Sequence, residues 1–206
     1  MASEARSGPA AEFVARLCDT PVKASEICSF LDRLAPGERV QAIRGAGRGA
    51  QRRLYEAVDG FGEVRLVDMV ATDVPDLGTV RHYGRNTLPA FTHFEKRFCR
   101  PPGRDRGQPA DLWGFNFQTM AFFTGPGYFV AREDPERREV LVDYNAVPSE
   151  APPGWPPVRP NERIPGRFVY GFMVDTLRRV SEHVTIGSAA RKGRDMGSWF
   201  LLCREA

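Results

Sequence analysis

The chain has 206 residues, 42% of them hydrophobic and 27% charged, with a formal net charge of +3. That apolar fraction excludes a disordered tail, a coiled coil and a collagen-like repeat, and the length is ample to bury a core. A balance of 29 basic against 26 acidic residues falls short of the clustered excess a nucleic-acid surface needs, so no nucleic-acid partner is expected.

The first sixty residues read as helical. Phe13, Val14, Leu17 and Cys18 form one apolar stripe, and Ile27, Phe30, Leu31 and Leu34 form a second at i, i+3, i+4 and i+7, with Pro21 between them. Pro36 opens a third segment, in which Val40, Ile43, Gly47, Ala50, Leu54 and Val58 share a face, and Asp59-Gly60 closes it. Inside it, Gly45-Ala46-Gly47-Arg48-Gly49 is no phosphate loop, because no strand precedes it and no Gly-Lys-[Ser/Thr] follows. The small residues either admit another element closely or break the helix.

From about residue 63 the period changes. Glu63–Val70 is a short apolar run, strand or helix. Residues 91–98 fit a strand with Phe91, His93, Glu95 and Arg97 on one face and Phe94 and Phe98 on the other, or a helix. Trp113, Phe115 and Phe117 alternate with Gly114, Asn116 and Gln118, and strands are expected again at 128–132, 139–147, 168–174, 183–190 and 198–204. Turn signals stand at 124–127, 133–136 and 192–195, while 99–112 reads as an exposed loop. Residues 148–166 hold seven prolines around Trp155, a stiff loop that covers a barrel mouth or plugs a core. Short strands without crossover helices predict an antiparallel sheet closed on itself. The expected fold is therefore α+β: a helical region at 1–60 packed on an antiparallel β-barrel-like domain at 61–206.

Familiar chemistries are missing from the sequence. There is no Gly-x-Ser-x-Gly elbow, no His-Glu-x-x-His, no Walker motif and no Rossmann fingerprint. Cys18, Cys28, Cys99 and Cys203 lack the close pairing of a zinc site, so no metal is expected. The opening Met-Ala-Ser-Glu-Ala-Arg has no apolar stretch and no run of about 18 apolar residues occurs, which predicts a cytoplasmic chain without a membrane span.

Three polar clusters remain. Arg81 to Asn86, with His82 and Tyr83, is followed by His93 and Glu95, where a carboxylate beside an imidazole suits acid/base work or an ion-pair ladder. In the second, Asp143 and Asn145 alternate with Tyr144; whichever face points inward decides whether a cavity sees the polar pair or the phenol. Asn116 and Gln118 pose the same question opposite Trp113. In the third, Asp175 caps a turn from which Arg178 and Arg179 clamp an anionic head near His183, or the group neutralises itself at the surface.

The stretch from Phe168-Val169-Tyr170-Gly171-Phe172-Met173-Val174-Asp175 through Arg178-Arg179-Val180, Thr185-Ile186-Gly187, Lys192-Gly193 and Trp199-Phe200-Leu201-Leu202-Cys203-Arg204 resembles the end of small calycin-like barrels. It is most similar to the bacterial group related to nitrobindin and fatty-acid-binding barrels. The resemblance implies an antiparallel barrel with an interior hydrophobic ligand site; the family's Gly-x-Trp-x-Gly signature has no counterpart, and no site residue carries over. The leading expectation is a binding protein for a hydrophobic or amphipathic small molecule (lipid, polyketide-like compound or haem), lined by Trp113, Phe115, Phe117, Tyr83, Tyr144, Trp155, Tyr170, Arg178 and His183. The alternative is a cofactor-independent cyclase, isomerase or hydrolase using His93, Glu95, His82 and Asp143 in the same cavity. A third is an interaction module whose N-terminal helices dock a protein partner.

Overall fold

A computed structural model describes residues 8–89, 92–117, 126–158 and 171–205. Eight antiparallel strands close into a barrel in chain order: β1 (Val80–Asn86), β2 (His93–Cys99), β3 (Leu112–Phe117), β4 (Tyr128–Asp134), β5 (Glu139–Asp143), β6 (Met173–Arg179), β7 (Val184–Arg191) and β8 (Arg194–Arg204). The seam is β1 against β8, with Tyr83 opposite Cys203. Of the stretch 91–98, residues 93–98 thus belong to a strand, while Phe91 and Gln118 lie outside the described residues. Of the strand expected over 168–174, residues 168–170 lie outside the described residues; β6 starts at Met173 and runs to Arg179, so Asp175 is within a strand and caps no turn.

Alternation sends one set of side chains inward: Phe94, Lys96 and Phe98 on β2, Phe129 and Ala131 on β4, Val140 and Val142 on β5, Asp175 and Leu177 on β6, Phe200 and Leu202 on β8. Three of the inward phenylalanines lie directly opposite a glycine of the neighbouring strand. Phe94 faces Gly84, Phe129 faces Gly114 and Phe200 faces Gly187. A Cβ at any of these glycines would collide with the facing ring, so glycine is what admits the phenyl groups.

Four ten-residue helices, α1 (Pro9–Cys18), α2 (Ala24–Arg33), α3 (Pro36–Gly45) and α4 (Arg48–Ala57), precede the barrel. The small-residue cluster at 45–49 does both things its composition allows. It ends α3 and starts α4, and a Cβ on Gly45 would lie 2.8 Å from that of Ala10. Phe13, Leu17, Ile27, Leu31, Ile43 and Leu54 are fully buried with Val184, Ile186, Leu201 and Cys203 on the outer face of β7 and β8. Burying a side chain of this size stabilises by roughly 1.5–3 kcal/mol each, which fastens the helical layer to the barrel wall. Among the described residues no large hydrophobic side chain of α1–α4 is left exposed, so these helices spend their large apolar side chains on packing within the chain.

The run at 63–70 resolves as a short helix, α5 (Leu66–Met69), across one end of the barrel. Val64, Leu66, Met69 and Val70 join Phe98, Leu112, Val140, Leu177 and Leu202 in one core and fill that end. Arg100, fully buried, donates from Nη1 to the Val74 carbonyl at 2.8 Å and from Nη2 to the carbonyls of Ala71 at 2.8 Å and Val70 at 3.3 Å. It thereby ties down the strap that follows α5.

Candidate functional site: a buried polar cluster beneath a barrel cavity

Towards the other end the interior is not filled. A cavity of about 390 Å³ is walled by Phe94, Phe200, Trp199, Met173, Ala189 and Leu88, with Lys96, Asn116, Tyr144 and Asp175 also lining it. Its rim carries exposed Leu88 and Met196, the latter on the part of β8 where the register with β7 slips between Ser188 and Ala190. The volume lies within the range of small-molecule pockets, and the mainly apolar walls with a few converging polar groups match their usual chemistry.

The floor is built by strand alternation. Lys96, Asn116 and Asp175 point inward from β2, β3 and β6, and Tyr144 follows the end of β5. Lys96 Nζ donates to Asp175 Oδ2 at 3.1 Å, to Asn116 Oδ1 at 3.2 Å, and to Tyr144 Oη in a short contact. Asn116 Nδ2 donates to Tyr144 Oη at 2.9 Å, and Tyr144 Oη donates to Asp175 Oδ2 at 3.3 Å. All four side chains are almost completely buried. The rings of Phe94, Phe129, Tyr144 and Phe200 surround the buried ammonium with centroids 4.9–6.0 Å away, adding cation–π attraction.

Desolvation is the largest influence on both charges: it lowers the Lys96 pKa and raises that of Asp175. Their mutual attraction opposes both shifts, as expected for a buried ion pair. One atom is left over. Asp175 Oδ1 is buried and has no hydrogen-bond partner among the described residues. A buried acceptor left so costs about 1–3 kcal/mol, an expense the apolar alternative would avoid.

Of the residues expected at a ligand site, Tyr144 stands at this floor, with Asp143 and Asn145 turned outward and bonded to one another at 2.8 Å. Trp113, Phe115 and Phe117 lie on the outer face of β3. Trp113 packs with Cys99 and Val130, and Phe117 sits under Arg97 at 4.1 Å. Trp155 neither covers a mouth nor enters the interior. It lies against the outer wall, 4.6 Å from the ring of Phe115, and its Nε1 donates to Thr79 Oγ1 at 2.7 Å. Tyr83 is on the outer face of β1, donating to Glu205 at 3.2 Å. Arg178, also outward, donates to Glu139 at 2.7 Å and to the Tyr55 carbonyl at 3.0 Å, joining helix to barrel. His183 sits in the β6–β7 turn, 3.1 Å from Arg204. Tyr170 and the last part of the 148–166 loop lie outside the described residues.

The acid/base set is not brought together. His93 and Glu95 share the outer face of β2, where Glu95 pairs with Arg97 at 2.8 Å and His93 is exposed. His82 is inside but at the filled end, its Nε2 2.9 Å from the Met69 carbonyl, and burial pushes its pKa down to about 3. None of the four lines the cavity.

Lys96 escaped sequence reasoning, although a signal for it existed. It is one of three lysines among 29 basic residues and stands between two phenylalanines of the same strand face. All three histidines and all four cysteines lie away from the cavity lining, and the Tyr144 hydroxyl is engaged by Lys96. Among the described residues, therefore, no imidazole or thiolate stands in the cavity lining to hold a haem. Among the described residues no three of His, Cys, Asp and Glu gather as a metal site, and no helix is long and apolar enough to cross a membrane. Neither a family model nor a curated protein sequence matches the chain.

Proposed function

We propose that the chain binds a hydrophobic or amphipathic small molecule, such as a lipid or a polyketide-like compound, in the cavity half of the barrel. One observation carries this reading: a single barrel filled at one end and hollow at the other, with aromatic walls above a buried polar floor. A core needing only stability would fill both ends, because empty apolar volume forfeits packing. In this reading Phe94, Phe200 and Met173 hold the apolar part, and the floor around Tyr144 orients the ligand.

The test is occupancy with and without the space. The uncharged probe N-phenyl-1-naphthylamine should bind wild-type protein one to one. Ala189, which points into the cavity from β7, offers the block: Ala189→Phe should weaken probe binding by at least about tenfold, or 1.4 kcal/mol, while leaving the circular dichroism spectrum unchanged. Equal binding by the two proteins would place the probe elsewhere. Absence of binding to wild type would sink the reading.

A further inference from the structure

We infer that the cavity selects amphipathic molecules with an uncharged, hydrogen-bond-donating head, an alcohol or a phenol, over carboxylates. The inference rests on the binding reading above and adds the headgroup class. An ammonium has three protons, and each proton of Lys96 already has an acceptor: Asp175 Oδ2, Asn116 Oδ1 and Tyr144 Oη. The one full positive charge at the floor is thus committed and balanced by Asp175. A carboxylate arriving there would find no uncommitted cation and would stand beside the carboxylate of Asp175.

The unmet demand is for a donor. Asp175 lines the cavity with its side chain only 4% exposed, and its Oδ1 accepts nothing among the described residues. A ligand hydroxyl supplies one proton for that oxygen without adding charge to a balanced pair. Leaving a buried acceptor unmet costs more than a typical net hydrogen bond returns, so the discrimination should be large for a single contact. Arg191, also in the lining, stands with Nη2 3.6 Å from Met173 Sδ and is not part of the floor cluster.

Isothermal titration of the full chain with 1-decanol and with sodium decanoate at pH 7.5 isolates the head, since the tails match. Decanol should bind at least about tenfold more tightly. In Asp175→Asn the acceptor loses its charge and Lys96 is left unbalanced, so the ratio should fall towards one or invert. A wild-type ratio below tenfold, or decanoate binding more tightly, overturns the inference but leaves the binding reading intact. An unchanged ratio in a folded Asp175→Asn protein also overturns it, and should that variant not fold, the wild-type ratio decides alone. If neither compound binds, and N-phenyl-1-naphthylamine does not bind either, the binding reading itself fails.

Discussion

The two ends of the barrel solve the same problem in opposite ways. Both carry inward polar side chains in an otherwise apolar interior. At the filled end those side chains mainly serve the backbone: His82 meets the Met69 carbonyl, and Arg100 meets three carbonyls at and after the end of α5, with Asp76 beside it at 3.5 Å. At the cavity end the polar side chains serve one another, in the Lys96, Asp175, Tyr144 and Asn116 cluster, and leave a carboxylate oxygen over. Polar groups that complete the chain's own hydrogen bonds make a plug, whereas polar groups that complete each other make a floor with something still to offer.

The contrast can be broken at either end. The largest effect is expected from Arg100→Ala, which removes a fully buried side chain and strips three carbonyls, one buried and two half-buried, of their donor, and should cost about 4 kcal/mol in urea unfolding. Its folded fraction should still bind N-phenyl-1-naphthylamine; loss of binding would mean the ends are not independent. Next, Lys96→Met leaves Asp175 unpaired and should cost about 3 kcal/mol, most of it recovered in the double variant Lys96→Met, Asp175→Asn. Thermal unfolding of the four proteins in that cycle checks this, and additive losses would deny the coupling.

The smallest effect is one of pH at the filled end. His82 titrates near 3 in the folded protein and near 6.5 when unfolded, so below 6.5 the unfolded chain takes up a proton that the folded chain refuses. The associated stability is present above pH 6.5 and is lost as pH falls towards 3, by about 2 kcal/mol at pH 5. His82→Phe should flatten that part of the pH dependence in urea titrations at pH 7 and 5. Parallel curves for the two proteins would assign the acid sensitivity to other groups.

The helices and the closed sheet were legible because their signals are local: stripes at helical spacing, alternation, and turn residues such as Lys192-Gly193, both at positive φ between β7 and β8. The site was legible only in pieces. Alternation states that Asp143 and Tyr144 face opposite ways, but inward is a property of the closed barrel, and the strand itself does not carry it. Trp113 and Phe115 misled for a related reason. The segment around Trp155 covers the outer wall, so β3 is buried on both faces and aromatic residues no longer mark the interior. Asp175 was lost to a register error, since a strand placed at 168–174 ends just before it. Lys96 was passed over because the neighbouring His93, Glu95 and Arg97 offered a more familiar chemistry on the other face.

The phenylalanines seated on glycines also bear on the order in which the barrel forms. Each such pair joins consecutive strands, β1 with β2, β3 with β4, and β7 with β8, so the contacts that set the bore arise within single hairpins. The seam, by contrast, unites positions 83 and 203, and the helical layer rests on β7 and β8 at the far end of the chain. Loop-closure entropy makes the hairpin contacts quick and the seam slow. On that ground the interior is expected to be sized piece by piece before it is enclosed, with ring closure, and the N-terminal helices clasping the last two strands, coming late.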